Sequence, residues 1–350
     1  TTLFRSPYFL GNFWYGHRQY EDAIACWERS RELDASLPTV QRNLGLAYVN
    51  QRADLQAGLA AYERAFALDE TDGRVLFELD QLYKKLNRTP QERLTFLASF
   101  PEVVAQRDDL TIVWITLLNS VGRHQEAYEA LMARQFHPWE GGEGKSSGQY
   151  ILSLVELAKA ALANGCYQEA VEHLQAAREY PPNLGEGKLV GAQENHVLYY
   201  LGCAYEGLGE LDKARACWQE ASTGLSEPSS AMYYNDQPPD MIFYQGLAWQ
   251  KLGEAAMAQT VFSKLVDYGR SHLHDQIKMD YFAVSLPDFL VFDDDLTQRN
   301  RIHCHYMMGL GNLGLGELAE ARTQFESVLA LDRNHVGTLV HERMLRETSL

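Results

Sequence analysis

The stretch that decides the fold runs from Leu201-Gly202-Cys203-Ala204-Tyr205 through Ala214 and Trp218 to Ala221. Small residues at fixed places let two helix backbones approach each other closely, and a large aromatic side chain fills the space beside them. Gly209 lies between the two halves, where the end of a helix favours glycine in the left-handed conformation. The stretch therefore predicts two helices joined by a tight turn.

The same frame returns along the chain. It is present at Leu10-Gly11, Trp14, Ala23 and Trp27; at Leu44-Gly45, Tyr48, Gly58 and Tyr62; at Leu157-Ala158, Ala170 and Leu174; at Gly246, Trp249, Ala258 and Phe262; and at Gly309, Ala321 and Phe325. Two degenerate units lie between them, around Leu79 and Trp114. The first step, from Gly11 to Gly45, is 34 residues, the period of the tetratricopeptide repeat (TPR).

The chain therefore resembles the TPR family over nearly its whole length. The resemblance implies an all-α, right-handed superhelix (an α-solenoid) of about eight helix pairs. Residues 1–135 keep the plain repeat length and form repeats one to four. Residues 136–335 carry long insertions and form repeats five to eight. In residues 336–350, polar residues interleaved with apolar ones predict a capping helix over the last apolar face.

Composition narrows the class of partner. The formal net charge of −16 disfavours nucleic acid and anionic membranes, which both attract a basic surface. No apolar run reaches the ~18 residues of a membrane span, and five scattered cysteines indicate reduced thiols in a cytoplasmic protein. A start that lacks methionine and leads at once into a repeat predicts a fragment of a longer chain.

The insertions give the chain its individuality. Gly142-Glu143-Gly144-Lys145 and Gly185-Glu186-Gly187-Lys188 are two copies of one phrase, 43 residues apart, so we expect them to stack on one edge of the solenoid. Insertions in solenoids often form the binding face. The predicted ligand-binding ridge comprises Trp139, Glu143, Lys145, Glu186, Lys188, Tyr233, Tyr234, Asp236, Asp240, Asp288, Arg299 and Arg301. Aromatic faces beside carboxylates suit a sugar, a peptide or another domain. Alternatively, Glu and Lys of neighbouring copies pair and only hold the loops down.

The first helices of the early repeats predict a second surface. Groove positions implied by the TPR resemblance are Arg5, Tyr8, Asn12, Arg42, Arg74, Lys84 and Lys85. Basic residues dominate this set in an acidic protein, which favours an acidic peptide or a carboxylate. The carboxylate clamp of chaperone-binding TPRs is matched only in part, because Tyr8 stands at its first lysine position. The alternative is a solvated helix face.

Three weaker patterns predict no metal and no cofactor. Lys145 lacks the preceding glycine of a phosphate loop, since Trp139 stands in its place. His303 and His305 point about 200° apart on a helix, so they cannot share an ion. Asp293-Asp294-Asp295 reads as a helix N-cap before Leu296 in preference to a calcium loop.

The inserted phrases look like the C-terminal repeat region of large bacterial proteins whose N-terminal domain resembles sugar-active β-sandwich enzymes. That resemblance implies bacterial carbohydrate metabolism and no catalytic residue. The leading hypothesis is a scaffold that docks a partner protein or its own N-terminal domain, with the ridge shaping a ligand site. One alternative is an accessory part of a glycoside-active enzyme, with catalytic carboxylates on the insertions. The other is an adaptor for acidic peptides. We do not expect this fragment alone to be an enzyme.

Overall fold

The computed structural model describes residues 5–139, 141–230, 238–277 and 291–348, and every regular element in these ranges is a helix. The first seven are α1 (Arg5–Gly16), α2 (Tyr20–Leu33), α3 (Pro38–Arg52), α4 (Leu55–Leu68), α5 (Gly73–Lys85), α6 (Pro90–Leu97) and α7 (Pro101–Val104). They are followed by α8 (Asp108–Ser120), α9 (His124–Met132), α10 (Lys145–Ala163), α11 (Tyr167–Ala176), α12 (Asn195–Gly207) and α13 (Leu211–Ala221). The last five are α14 (Pro239–Lys251), α15 (Ala255–His272), α16 (Leu296–Leu315), α17 (Leu318–Leu331) and α18 (Val336–Thr348).

The described helices form eight consecutive hairpins, with the short α7 before the fourth and α18 after the eighth. This confirms the predicted all-α class and the predicted number of helix pairs. Over the same ranges, no helix is both long enough and apolar enough to cross a membrane.

The chain divides into two compact units. Unit 1 contains Thr1–Thr111 and the short segment Leu290–Asp294, and unit 2 contains Ile112–Phe289 and Asp295–Leu350. The segment in unit 1 is separated from the rest of that unit by most of unit 2 in sequence. The sequence boundaries at residues 135 and 335 were drawn from repeat length and stay predictions.

The predicted small residues join the two helices of a hairpin. A Cβ atom built at Gly202 would lie 2.3 Å from Nε1 of Trp218, and one at Gly45 would lie 2.6 Å from the Tyr62 ring. Only glycine permits these approaches, because real Cβ contacts are never so short. The aromatic side chain of the second helix thus packs directly on the backbone of the first, at the small residue where the repeat frame predicts that the two backbones come close.

The turns follow the sequence equally well. The predicted turn glycine Gly209 has positive φ, and so do Gly122, Gly165, Gly253 and Gly316 at the equivalent turns of other hairpins. Asp295 caps α16 by accepting a hydrogen bond from the backbone N–H of Gln298 at 3.0 Å. The aspartate run before α16 therefore does contain the predicted N-cap.

Unit 2 stacks its hairpins in order. First helices contact the next first helices along α10, α12, α14 and α16, and each second helix contacts the following first helix. Helix α18 contacts α17 and α16. Its side chains also reach earlier hairpins, as described below, so it does more than cover the last apolar face.

Candidate functional site

A short extended segment lies in a groove of unit 1. Phe292 is only 6% exposed, and its ring meets Tyr62 edge-on with the centroids 5.8 Å apart. On either side of Phe292, Asn50 of α3 holds the backbone: its Nδ2 donates to the carbonyl of Val291 at 3.1 Å, and its Oδ1 accepts from the N–H of Asp293 at 3.2 Å. We call the surface formed by Asn50, Tyr62 and Lys85 the unit 1 groove.

The contacts in this groove are mainly to backbone atoms. Lys85 Nζ donates to the carbonyl oxygen of Asp293 at 2.7 Å, which adds a third hydrogen bond to the segment's main chain. Among the described residues 291–294, Phe292 is the one with a buried side chain. The geometry therefore recognises an extended chain with one large apolar residue.

A buried carboxylate fixes the floor of the unit 1 groove. Glu78, 3% exposed, accepts hydrogen bonds from Arg42 Nε and Nη2, both at 2.6 Å, and from Arg74 Nε at 2.9 Å. The Tyr62 hydroxyl donates to the same carboxylate at 3.0 Å. Burial alone would raise the pKa of Glu78, but these hydrogen bonds hold it below its ordinary value. The network orients the Tyr62 ring that contacts Phe292.

The predicted groove residues have different roles. Arg42 and Arg74 both form ion pairs with the carboxylate of Glu78. Asn12 accepts from Trp27 Nε1 at 3.0 Å and from Asn43 Nδ2 at 3.3 Å, so its carbonyl oxygen supports the hairpin. Lys85 contacts the segment directly. The remaining three lie on α1 and α5: Arg5 and Lys84 are exposed and Tyr8 is half-buried.

The sequence pattern predicts a groove position for Asn12 but none for Asn50. Its only signal is its residue type. Asparagine has a low helix propensity and is usually found in caps and turns. Asn50 lies near the end of α3 and is neither a cap nor a turn residue there. Asp293 belongs to the predicted N-cap run and Phe292 directly precedes it, but no sequence pattern indicates what they contact.

A second site lies among the insertions of unit 2. A cleft of about 330 Å³ is bounded by the loop before α10 and the loop after α11. Its lining residues are His137, Pro138, Trp139, Gly142, Glu143, Ser146, Leu184, Gly185 and Glu186. Three predicted ridge residues, Trp139, Glu143 and Glu186, are thus brought together.

The two glycine–glutamate–glycine–lysine copies are in direct contact beside this cleft. Glu186 Oε2 accepts from the Gly144 N–H at 2.8 Å, and Oε1 accepts from the Ser147 N–H at 2.8 Å and from the Ser146 hydroxyl at 2.7 Å. Burial opposes ionisation, but these bonds at the start of α10 lower the pKa of Glu186. Glu186 is therefore a fixed, ionised helix cap and is poorly suited to donate a proton.

Lys188 does not pair with the other copy as predicted. Lys188 Nζ donates to Glu194 at 2.6 Å and to the Arg178 carbonyl at 3.0 Å, both outside the other copy. Lys145 and Glu143 are exposed. The alternative interpretation is correct in that the copies hold the loops down, but the bond that does so is from Glu186 to backbone groups.

The other predicted ridge residues lie elsewhere. Tyr233, Tyr234, Asp236 and Asp288 fall outside the described residues. Asp240 is in the first turn of α14, where burial raises its pKa to about 6. Arg299 is half-buried and Arg301 is exposed, both on α16. The membership of these residues in one ridge stays a prediction.

Helix α18 covers the first helices of unit 2. His341, 2% exposed, packs edge-on against Phe243 of α14 with ring centroids 5.5 Å apart, and its Nδ1 lies 3.1 Å from the Tyr306 hydroxyl of α16. Arg343 donates to the Ser120 carbonyl of α8 at 3.3 Å and lies 3.7 Å from Glu156 of α10. Within unit 2, one helix thus spans four hairpins.

The polar groups under α18 are incompletely paired. Among the described residues, Nε2 of His341, Nδ1 of His196 and Nε of Arg343 are buried without a hydrogen-bond partner. Burial lowers the pKa of His341 to about 3 and that of His196 to about 4. Both imidazoles are therefore neutral in the folded chain at neutral pH.

Comparison with known proteins agrees with the repeat. Residues 196–222, which contain most of α12 and all of α13, match the sequence model of the tetratricopeptide repeat. A tetratricopeptide repeat protein from Parabacteroides merdae is 11% identical, covers 75% of this chain and 92% of its own, and has a TM-score of 0.42. YrrB, a TPR protein with an unusual peptide-binding site, is 15% identical over 61% of this chain and 82% of its own, with a TM-score of 0.31. The Cut9–Hcn1 assembly of the APC/C is 15% identical over 94% of this chain and 52% of its own, with a TM-score of 0.38.

The chain is therefore an all-α helix-hairpin repeat protein that contains a tetratricopeptide repeat at residues 196–222.

Proposed function

We propose that this chain is a protein-binding scaffold, and that its unit 1 groove binds an extended polypeptide segment with an aromatic anchor. The observation that carries the proposal is the pair of hydrogen bonds from Asn50 to the backbone on both sides of Phe292. A side-chain amide that pairs with both a C=O and an N–H recognises any extended chain, whatever its sequence. The buried aromatic side chain then adds selectivity, because burial of a Phe side chain contributes about 1.5–3 kcal/mol.

The test uses a fluorescein-labelled peptide of residues 290–295, Leu-Val-Phe-Asp-Asp-Asp, and the whole chain carrying Phe292→Ala. That substitution removes the chain's own anchor from the groove. We expect saturable binding by fluorescence anisotropy, and binding about thirtyfold weaker when Asn50→Ala is added, since two hydrogen bonds of about 1 kcal/mol each are lost. A peptide with alanine in place of its phenylalanine is the matched control.

Two outcomes would reject this function. One is the absence of saturable binding to the Phe292→Ala chain. The other is equal affinity with and without Asn50, which would place the peptide somewhere other than the unit 1 groove. Hydrogen exchange in α3 to α5, measured without peptide, shows whether each variant keeps the fold.

A second candidate function is supported by the cleft of about 330 Å³ between the insertion loops. Trp139 is held against the backbone, because a Cβ atom at Gly142 would lie 2.2 Å from its indole ring. A fixed aromatic face beside the exposed carboxylate of Glu143 suits a sugar, which offers an apolar face and hydroxyl donors. This supports the carbohydrate context of the sequence analysis as a proposal, with Glu186 as a structural residue of the site.

The sugar proposal is tested by thermal shift of the whole chain against a panel of mono- and oligosaccharides. A stabilising sugar should lose its effect in Trp139→Ala and in Glu143→Ala, but keep it in Glu172→Ala, a surface glutamate of α11. The proposal is abandoned when no sugar shifts the melting temperature, or when Trp139→Ala leaves the shift unchanged.

A further inference from the structure

Resting on the proposed function, we infer that residues 291–293 act as an intrachain competitor that keeps the unit 1 groove closed until a partner segment displaces them. The partner class is an extended chain with an aromatic residue followed by an acidic one. Residues 291–293 thus control access to the unit 1 groove, and their sequence indicates which segments the groove binds.

The first step is that the segment is a ligand by its manner of contact. Three hydrogen bonds to the groove use main-chain atoms of the segment: the carbonyl of Val291, and the N–H and carbonyl of Asp293. These atoms are present in every extended peptide, so a chain in trans can make the same bonds. Only the Phe292 side chain would have to be matched.

The second step is that the segment is short and lies apart from the helices of unit 1 in sequence. Unit 1 takes Leu290–Asp294 from a place more than 170 residues beyond its own last helix, while the next residue, Asp295, already caps α16 of unit 2. No helix of unit 1 contains these residues, so release of the segment breaks no helical hydrogen bond there. The main loss is one aromatic contact and three hydrogen bonds.

The charges around the segment favour acidic residues after the aromatic anchor. Three aspartates, Asp293 to Asp295, follow Phe292, and Lys84 and Lys85 end α5 beside the segment. Exposed lysines near the acidic side of the anchor favour acidic residues there. An aromatic residue followed by acidic ones is therefore the pattern expected of an incoming partner.

The tether between the segment and unit 1 sets a lower limit on how strongly the segment weakens the binding of an external peptide. A tethered segment acts at an effective concentration in the millimolar range, so even a weak intrachain ligand holds its site closed. A groove that is open in one molecule out of ten binds an external peptide ten times more weakly than an open groove. We therefore expect the unaltered chain to bind the labelled peptide of residues 290–295 at least about tenfold more weakly than the Phe292→Ala chain does.

The experiment compares three forms of the whole chain by anisotropy with that peptide. Besides the unaltered chain and Phe292→Ala, it uses Asp293→Pro, which removes the N–H that Asn50 accepts and leaves every helix of unit 1 untouched. Both variants should bind the peptide more tightly than the unaltered chain. Thr71→Ala, in an exposed turn of unit 1, is the matched control and should bind as the unaltered chain does.

The outcomes separate the two proposals. Equal affinity for all three forms overturns the competition and leaves peptide binding in place. No binding by any form overturns the proposed function as well. Tighter binding by Phe292→Ala but not by Asp293→Pro would also overturn the competition, because both variants weaken the same intrachain contact. Hydrogen exchange of α3 should rise in both variants at the amides near Asn50 and fall again when peptide is added.

Discussion

The two units are each covered by a piece of chain from the last sixth of the sequence, but in opposite ways. In unit 1 the cover is an extended segment held through its backbone by Asn50 and Lys85. In unit 2 the cover is helix α18, held through buried side chains such as His341 and Leu345. A backbone-held segment can be exchanged for another chain, whereas a helix with buried side chains is part of the core. The same hairpin scaffold thus offers one exchangeable surface and one permanent one.

The buried glutamates of the two units show the same contrast. Glu78 in unit 1 receives four hydrogen bonds, three from arginines and one from Tyr62. Glu156 in unit 2, 7% exposed, receives one, from Lys159 at 2.6 Å. Its other oxygen lies 3.6 Å from His124 Nε2 and 3.7 Å from Arg343 Nη2. The floor of the exchangeable surface is therefore rigid before any cover arrives, while the surface under α18 depends on its cover.

Lowering the pH should produce the largest difference in stability between the two units. Burial lowers the pKa of His341 to about 3 and the pKa values of His124 and His196 to about 4, all in unit 2. Below pH 6.5 the unfolded chain takes up these protons and the folded chain does not, so stability falls as pH falls. Each histidine contributes about 1.4 kcal/mol per pH unit, or about 2 kcal/mol by pH 5. The raised pKa of Asp240 acts in the opposite direction, but it offsets only about 1.4 kcal/mol of this loss by pH 5.

Unit 1 has no such group in this pH window. Its one histidine, His17, is exposed, and the lowered pKa of Glu78 removes stability only below its ordinary value of 4.5. Hydrogen exchange between pH 7 and 5, corrected for intrinsic rates, should show unit 2 opening while unit 1 stays protected. His341→Asn should lower by about one the number of protons that unit 2 takes up when it unfolds, and its stability should therefore fall less steeply with pH. Simultaneous opening of both units would contradict the contrast.

The next effect in size compares the two covers directly. Leu345, 1% exposed, anchors α18, and Leu345→Ala should cost unit 2 about 3 kcal/mol through lost burial and the cavity left behind. Phe292→Ala should cost the helices of unit 1 only about 1.4 kcal/mol, the free energy that corresponds to the tenfold competition, because the segment can leave without opening a hairpin. Urea-dependent hydrogen exchange reports the free energy of opening for each unit separately. A larger loss from Phe292→Ala would make the segment part of the core and would end its role as a competitor.

Most of the hairpin architecture could be predicted from the sequence. Glycine facing an aromatic residue is a local requirement repeated at a fixed distance, so Gly202 and Trp218 identify a hairpin without knowledge of the rest. Turn glycines such as Gly209 are equally local. The contact between the two loop copies could also be predicted from their repeat spacing, and in the structure Glu186 accepts a hydrogen bond from the Gly144 N–H.

The covers could not be predicted, because they depend on contacts between residues far apart in sequence. Asn50 and Asp293 are 243 positions apart, and Arg343 and Ser120 are 223 apart. No periodic pattern links such residues. Arg42 and Arg74 were expected to present positive charge in the groove, but the sequence does not identify Glu78 as their partner, since Arg42 and Glu78 lie 36 positions apart on different helices.

The smallest effect is expected from a matched pair of substitutions at the two buried glutamates. Glu78→Gln should destabilise unit 1 by about 2 kcal/mol, because Arg42 and Arg74 lose a carboxylate that accepts three of their hydrogen bonds. Glu156→Gln should cost unit 2 only about 1 kcal/mol, since a single charged hydrogen bond from Lys159 is weakened. Glu78→Gln should also weaken peptide binding to the Phe292→Ala chain, because the Tyr62 hydroxyl loses the acceptor that orients its ring. The reverse order of destabilisation, or peptide affinity that ignores Glu78, would mean that the unit 1 groove is not shaped in advance, and that the two surfaces differ only in what happens to lie on them.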